Sequence, residues 1–372
     1  LRRFIDREIM PYAEDWDENG TIPDDLWPKA AEVGLLGLNF PEEFGGITEG
    51  IDVWHSIIVN EEMARVAVGG VAATLMVHGI GLPPVVNFGS DEMKQMVAPP
   101  VLAGTKRISL AITEPGGGSD VAKLQTTARL DGDHYVVNGS KTYITGGMNA
   151  NWFTTAVRTG GEGSGGVSTL LIPADAEGVS RTALDKKQGW WCSDTATIYF
   201  DNVRVPASNI IGGPDRLNKG FKTAMKVLDR GRLHISAVCV GAAERLIRDS
   251  LSYAIERKQF GEPIAEKQLI QAMLADSRAE AFAARCMIEE TARRKDAGQN
   301  VSTDAACCKM FASEMVGRVA DRAVQIHGGA GYMAEYAVER IYRDVRLFRI
   351  YEGTTQIQQI LIARNMIRTA AA

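Results

Sequence analysis

Two adjacent rows of apolar residues, each stepping by four, constrain this chain most. Cys307, Phe311, Met315, Val319 and Ala323 form one row, and Cys308, Ala312, Val316, Ala320 and Val324 form the other. Steps of four run along one side of an α-helix, and two neighbouring rows make a face too broad to leave in water, so the segment needs helical partners. Upstream, Lys219 to Arg257 contains no proline; as one helix at about 1.5 Å per residue it would exceed about 50 Å. Helices of that length belong to bundles whose faces also meet other subunits. Residues 216–372 therefore read as a C-terminal helical bundle domain.

Between residues 106 and 215 the period changes from four to two. Arg107–Ile112, Tyr135–Val137, Ser168–Ile172 and Thr197–Phe200 are short and rich in β-branched and aromatic residues, with the pairs Asp131-Gly132, Asn138-Gly139 and Asp201-Asn202 between them. Those pairs favour tight turns, so the segment reads as an antiparallel β-domain of seven or eight short strands. Residues 1–105 return to helical spacing, as in Phe4, Ile5 and Ile9 or Trp54, Ile57, Ile58 and Met63. Thr21 is expected to cap a helix there, ahead of Asp24 and Asp25. The fold class is α+β multidomain.

With 372 residues, 45% hydrophobic, and 41 basic against 46 acidic side chains for a net charge of −5, the chain is an ordinary globular one. That balance provides no field for gripping nucleic acid. No apolar run approaches the roughly 20 residues of a membrane span. Cys192, Cys239, Cys286, Cys307 and Cys308 form an odd set without a CxxC pair. Reduced, mostly buried thiols and a cytoplasmic location are the expectation. The five histidines close no metal-ligand spacing, and there is no Walker loop, GxSxG elbow or GxGxxG between a strand and a helix.

Two segments carry candidate chemistry. Thr113-Glu114-Pro115-Gly116-Gly117-Gly118-Ser119-Asp120 follows a strand, and its glycines would let the backbone approach an anion or flavin; a plain connection between strands is the other reading. In Ile350-Tyr351-Glu352-Gly353-Thr354-Thr355-Gln356-Ile357-Gln358, Thr355 and Gln358 read as a capping box, which puts Glu352 on non-helical residues just before a helix. An acidic residue there also gains from the helix dipole alone.

Together with Lys141–Thr145, Cys192–Thr195, Glu256–Gly261 and Gln325–Tyr332, these segments occur in one order along the chain. In that order the chain resembles the acyl-CoA dehydrogenase family over nearly its whole length. The resemblance implies a barrel-like middle domain, a four-helix C-terminal bundle, and FAD between the two, completed by a neighbouring subunit of a homotetramer built as a dimer of dimers. Thr113, Gly118 and Ser119 look like flavin and pyrophosphate contacts, and Tyr143, Ile144 and Thr145 like the strand beside the ring. Tyr143 stands where family members commonly have Trp. Arg257, Gln259, Phe260, Gln268, Gln325 and Gly329 resemble residues reaching FAD from the partner subunit, and Thr354 and Gln356 resemble contacts just beyond the base.

Glu352 then looks like the catalytic base, removing the α-proton of an acyl-CoA thioester while hydride leaves the β-carbon for the flavin. Ser119, Asp229, Arg232, Tyr351, Gly353 and Arg364 resemble substrate contacts. In the isovaleryl and long-chain branches the base sits between the residues equivalent to Asp229 and Arg232; here that place is Gly231. The implied electron acceptor is electron-transfer flavoprotein, and the implied location is cytoplasmic, or the mitochondrial matrix in a eukaryote. An acyl-CoA oxidase, a flavin monooxygenase of the same architecture and a non-catalytic relative are the competing readings. The pocket floor is expected near residues 70–90, where small residues cluster and no arginine stands to pair a second carboxylate.

Overall fold

The computed structural model describes residues 1–371, without the side chains of residues 224–230. Eight helices come first: α1 Arg2–Phe4, α2 Ala13–Asn19, α3 Leu26–Glu32, α4 Val53–Ala64, α5 Gly69–Leu75, α6 His78–Gly81, α7 Pro83–Phe88 and α8 Asp91–Leu102. Seven strands follow: β1 Ile108–Ala111, β2 Thr127–Asp131, β3 His134–Thr145, β4 Trp152–Arg158, β5 Val167–Pro173, β6 Val179–Ala183 and β7 Thr195–Pro206. The last part holds α9 Gly220–Glu256, the small hairpin β8 Lys258–Gln259 and β9 Glu262–Pro263, then α10 Gln268–Asp296, α11 Ser302–His327, α12 Ala337–Val345 and α13 Thr355–Ala370.

The helical, β and helical order agrees with the sequence reading, and α9 is a single helix of 37 residues. On α11, most of the two predicted rows are buried against α9 and α10. The bundle core does not stop at the domain edge. Ile57 of α4 and Ala67 belong to the same cluster, and the Arg285 guanidinium on α10 reaches Glu61 on α4 at 2.9 Å. Gly241 makes this docking possible: a Cβ there would lie 2.4 Å from the Glu61 carbonyl oxygen. A second core joins Phe40, Leu82 and Val97 to Ile108, Leu171 and Ile211, so the β-domain is clamped to the N-terminal helices as well.

Three local expectations are corrected. The sheet, ordered β1-β4-β2-β3-β7-β6 with β5 on β4, is mixed, because β1 and β4 run parallel. Its strands β3 and β7 reach 12 residues each, because two of the expected turns lie inside them. Asn138-Gly139 and Asp201-Asn202 face each other across a register shift in the β3–β7 ladder. There the Asn202 N–H donates to Asn138 Oδ1 at 2.9 Å, and Gly139, at φ 143, crosses so near Thr126 that no side chain would fit. Turn-forming residues thus build a bulge that bends the sheet. Only Asp131-Gly132 lies at a strand-to-strand turn, between β2 and β3. Thr21 caps nothing; α3 begins at Leu26, after Asp25.

Replacing Gly241 by valine is expected to push α4 from α9 and destabilise the protein by about 1–3 kcal/mol. Thermal denaturation of the flavin-loaded protein measures this as a lowered midpoint.

Candidate active site

Glu352 lies in the link between α12 and α13, and its geometry begins with its backbone. Glu352 has φ 55 and Gly353 φ 86, so two successive residues adopt left-handed conformations. Such a residue is strained unless its surroundings over-determine it. Here they do: Gln358 Nε2 donates to the carbonyls of both Glu352 and Gly353 at 3.1 Å, and Lys309 Nζ donates to the Gly353 carbonyl at 2.7 Å. Helix α13 then starts one residue earlier than expected. Thr354, not Thr355, is its N-cap and accepts from the Ile357 N–H, while Thr355 Oγ1 donates to Glu314 Oε1 at 2.7 Å.

The Glu352 carboxylate projects into a cavity of about 200 Å³ between α4, α5, α9 and the β-domain. Oε2 has no hydrogen-bond partner among the described residues. Loss of water pushes the carboxyl up to about 7, partly offset by the positive charges of Lys309 and Arg232. Gly231 of α9 faces it directly, since a Cβ there would sit 2.6 Å from Oε2. The two positions discussed for a base therefore border one space, and only Glu352 fills it with a carboxylate.

Thr145 and Tyr351 line the same cavity. Tyr351 is held edge-on by Trp190, with ring centroids 5.5 Å apart, and stacks on Phe348. Gly353 completes the turn beside them. Arg232 is buried, close enough to act on Glu352 through its charge; the Asp229 side chain lies outside the described residues. Arg364 is exposed on α13 and lines no described cavity.

On the β-domain, Thr113 accepts from the Thr142 N–H through its carbonyl, and the loop beyond it folds back as Glu114 and Gly117 exchange backbone hydrogen bonds. Residues 115–120, including Gly118 and Ser119, are exposed. Glu114 anchors the loop from beneath: it accepts from the Gln125 and Thr126 N–H groups and pairs with the fully buried Lys141 at 2.8 Å. Burial raises the Glu114 carboxyl, but the Lys141 charge and these donors outweigh it and hold the group below its ordinary value. Ile144 is buried, whereas Tyr143, at φ 59, turns outward and is 70% exposed.

Arg257, Gln259, Phe260, Gln268, Gln325 and Gly329 line no cavity with Glu352; all are exposed. A small core of Ala254, Ile264 and Ile326 gathers the segments that carry them at one end of α9, α10 and α11, where Phe260 is 94% exposed. Thr354 and exposed Gln356 lie at the start of α13. Outward-turned Tyr143, the open glycine loop and this exposed group suit a flat, phosphate-bearing cofactor, and so fit FAD.

Sequence reasoning took Gln358 for half of a capping box, whereas it holds the Glu352 turn, and it missed Lys309 and the α4 wall formed by Ser56, Asn60 and Met63. Lys309 left a signal, because it breaks the apolar face of α11 between Ala305 and Ser313.

Residues 1–105, 109–203 and 218–367 match the acyl-CoA dehydrogenase N-terminal, middle and C-terminal domains. The chain belongs to the acyl-CoA dehydrogenase family, whose members are FAD-dependent oxidoreductases. It is 41% identical to the probable acyl-CoA dehydrogenase YngJ of Bacillus subtilis, over 99% of this chain and 96% of that one. It is 38% identical to a 3-(aryl)acrylate reductase of Clostridium sporogenes, with the same coverage. A solved probable acyl-CoA dehydrogenase from Mycobacterium abscessus superposes with a TM-score of 0.94 at 43% identity, covering 98% of this chain and 96% of that one.

Adding a methyl group with Gly231→Ala is expected to displace the Glu352 carboxylate and lower kcat about 100-fold. Steady-state turnover of the best acyl-CoA, at unchanged FAD content, measures it.

Proposed function

We propose that this chain dehydrogenates a saturated acyl-CoA at its α and β carbons, with Glu352 as the base. The observation that carries the reading is the unpartnered Glu352 Oε2 in an apolar cavity opposite Gly231. A dry site makes a carboxylate a stronger base, and a group poised near 7 is matched to removing a weakly acidic α-proton. The enolate-like charge that develops on the thioester oxygen needs an aimed donor. The Glu352 N–H makes no hydrogen bond among the described residues, so it is available for that role. Bound FAD supplies the acceptor for the β-hydride.

Thr113, Gly118, Ser119, Tyr143, Ile144 and Thr145 would hold the flavin from the β-domain of one subunit. Arg257, Gln259, Phe260, Gln268, Gln325 and Gly329 would reach it from a second copy, within a homotetramer. Thr354 and Gln356 would border it. Tyr351, Gly353 and Arg232 would line the thioester path, with Ser119, Asp229 and Arg364 contacting the CoA portion. Electrons would leave to an electron-transfer flavoprotein. Among the described residues no lysine or arginine lines the acyl cavity, which favours an uncharged acyl group over a dicarboxylate. The same residues would serve the reverse reaction, Glu352 returning the proton, so the redox partner sets the direction.

Glu352→Gln is expected to lower turnover by about 10² to 10⁴-fold with FAD retained. Because the carboxylate is the active form and its acidity is weakened to about 7, kcat/KM of the unaltered enzyme should rise with pH through about 7, not through the ordinary glutamate range. A panel of straight, branched and aryl acyl-CoA thioesters with an artificial electron acceptor measures both. Full activity in Glu352→Gln would refute the assignment.

A further inference from the structure

The side chain of Lys309 is fully buried in α11, yet its ammonium makes no ion pair among the described residues. Burying an ammonium is costly, and an apolar residue of similar volume would pack there without that penalty. Burial does push the Lys309 amine down to about 8, against the opposing effects of Cys239, Glu352 and Glu314, so it keeps its proton at neutral pH. Its one hydrogen bond is to the Gly353 carbonyl, in the left-handed turn that carries Glu352. Gln358 grips the same turn so closely that a Cβ at Gly353 would lie 2.6 Å from Gln358 Nε2.

We propose that Lys309 is a positioning residue for Glu352: it clamps the Gly353 carbonyl, with Gln358 as the second clamp, and supplies a fixed positive charge that favours the carboxylate form of the base. This rests on the reading of Glu352 as the base. Two separable effects follow. The clamp fixes where the carboxylate and its backbone N–H stand, and the charge fixes the pH at which that carboxylate forms. Among the described residues, the other charged or titratable groups that act on or feel Glu352 are Arg232 on α9 and the Tyr351 phenol; His234, His78 and Asp344 line the same cavity. Of these Arg232 alone shares the effect of Lys309 on the carboxyl. Gln358 carries no charge, so it shares only the clamp.

The test uses FAD-loaded Lys309→Met, Lys309→Arg and Gln358→Leu enzymes, each checked for flavin content and thermal midpoint, with kcat/KM followed from pH 5.5 to 9. Lys309→Met should move the rising limb to higher pH by about one unit and lower turnover at pH 7 about tenfold, with partial recovery at pH 9. Lys309→Arg should keep the limb in place. Gln358→Leu should lower kcat severalfold and leave the limb where it was. A wild-type limb in Lys309→Met would overturn the charge role, and unchanged kcat in Gln358→Leu would overturn the clamp, even if Lys309→Met fails to fold. Glu352→Gln, run alongside, separates the two levels. If it is inactive while Lys309→Met keeps the wild-type limb, this inference alone fails; if it is active, the base assignment fails.

Discussion

The left-handed turn at Glu352 and Gly353 is the constraint on which the site depends. A glutamate at φ 55 has no intrinsic reason to stay there, and strain of this kind amounts to about 1–3 kcal/mol. It persists because two helices converge on it. Helix α11 supplies Lys309 beneath the turn, α13 supplies Gln358 from its first turn, and Thr354 starts α13 immediately after it. The reward for the strain is direction. With its carbonyl bonded to Gln358, Glu352 lines the cavity between α4, α9 and the β-domain with its side chain.

The same device recurs on the other wall. Tyr143 on β3 has φ 59 and stands at a register shift in the β3–β7 ladder, and Phe260 in the β8–β9 hairpin has φ 53. In each case a left-handed residue turns a large side chain away from the core of its own element. Beneath Tyr143, buried Lys141 pairs with Glu114 and makes the glycine-rich loop part of the sheet rather than a loose connection. A buried lysine that secures backbone next to a functional segment thus occurs on both walls, Lys141 with a carboxylate partner and Lys309 with a carbonyl.

What the sequence made legible follows from the range of the interactions. The α11 rows and the uninterrupted α9 are local patterns, and both stand in the structure. Asn138-Gly139 and Asp201-Asn202 are local patterns too, but their turn chemistry is spent on each other across two strands, a pairing no single segment reveals. Small residues at 69–73 pointed to a floor, and Gly69, Ala72 and Ala73 do line the cavity, while Gly69 and Gly70 are also small because Trp190 and Cys192 pack on them. Residues of α4 line the cavity because Gly241 lets α9 approach, a contact between positions 180 residues apart in the chain. Glu352 was legible through its motif; Lys309 left only a break in the α11 face, which reads as a buried cation once that face is placed.

The pairing of Gly231 with Glu352 shows why one carboxylate and one glycine belong together here. Their separation leaves no room for a second side chain, and two carboxylates in so dry a space would hold each other's protons and neither would be a free base at neutral pH. Around the Glu352 carboxylate stand the charges of Lys309 and Arg232, which oppose the desolvation while Oε2 keeps no hydrogen-bond partner among the described residues. That separation matters chemically. A direct salt bridge would stabilise the anion in the ground state and blunt its basicity, whereas a charge held one peptide away through the Gly353 carbonyl keeps the anion accessible near neutral pH and leaves its oxygen open to a substrate proton. When an acyl chain displaces water from the cavity, desolvation of Glu352 and its attraction to those two charges strengthen together. In its proposed role as the base, Glu352 would therefore be set by opposing effects that grow in step, which suits a site that must work only when filled.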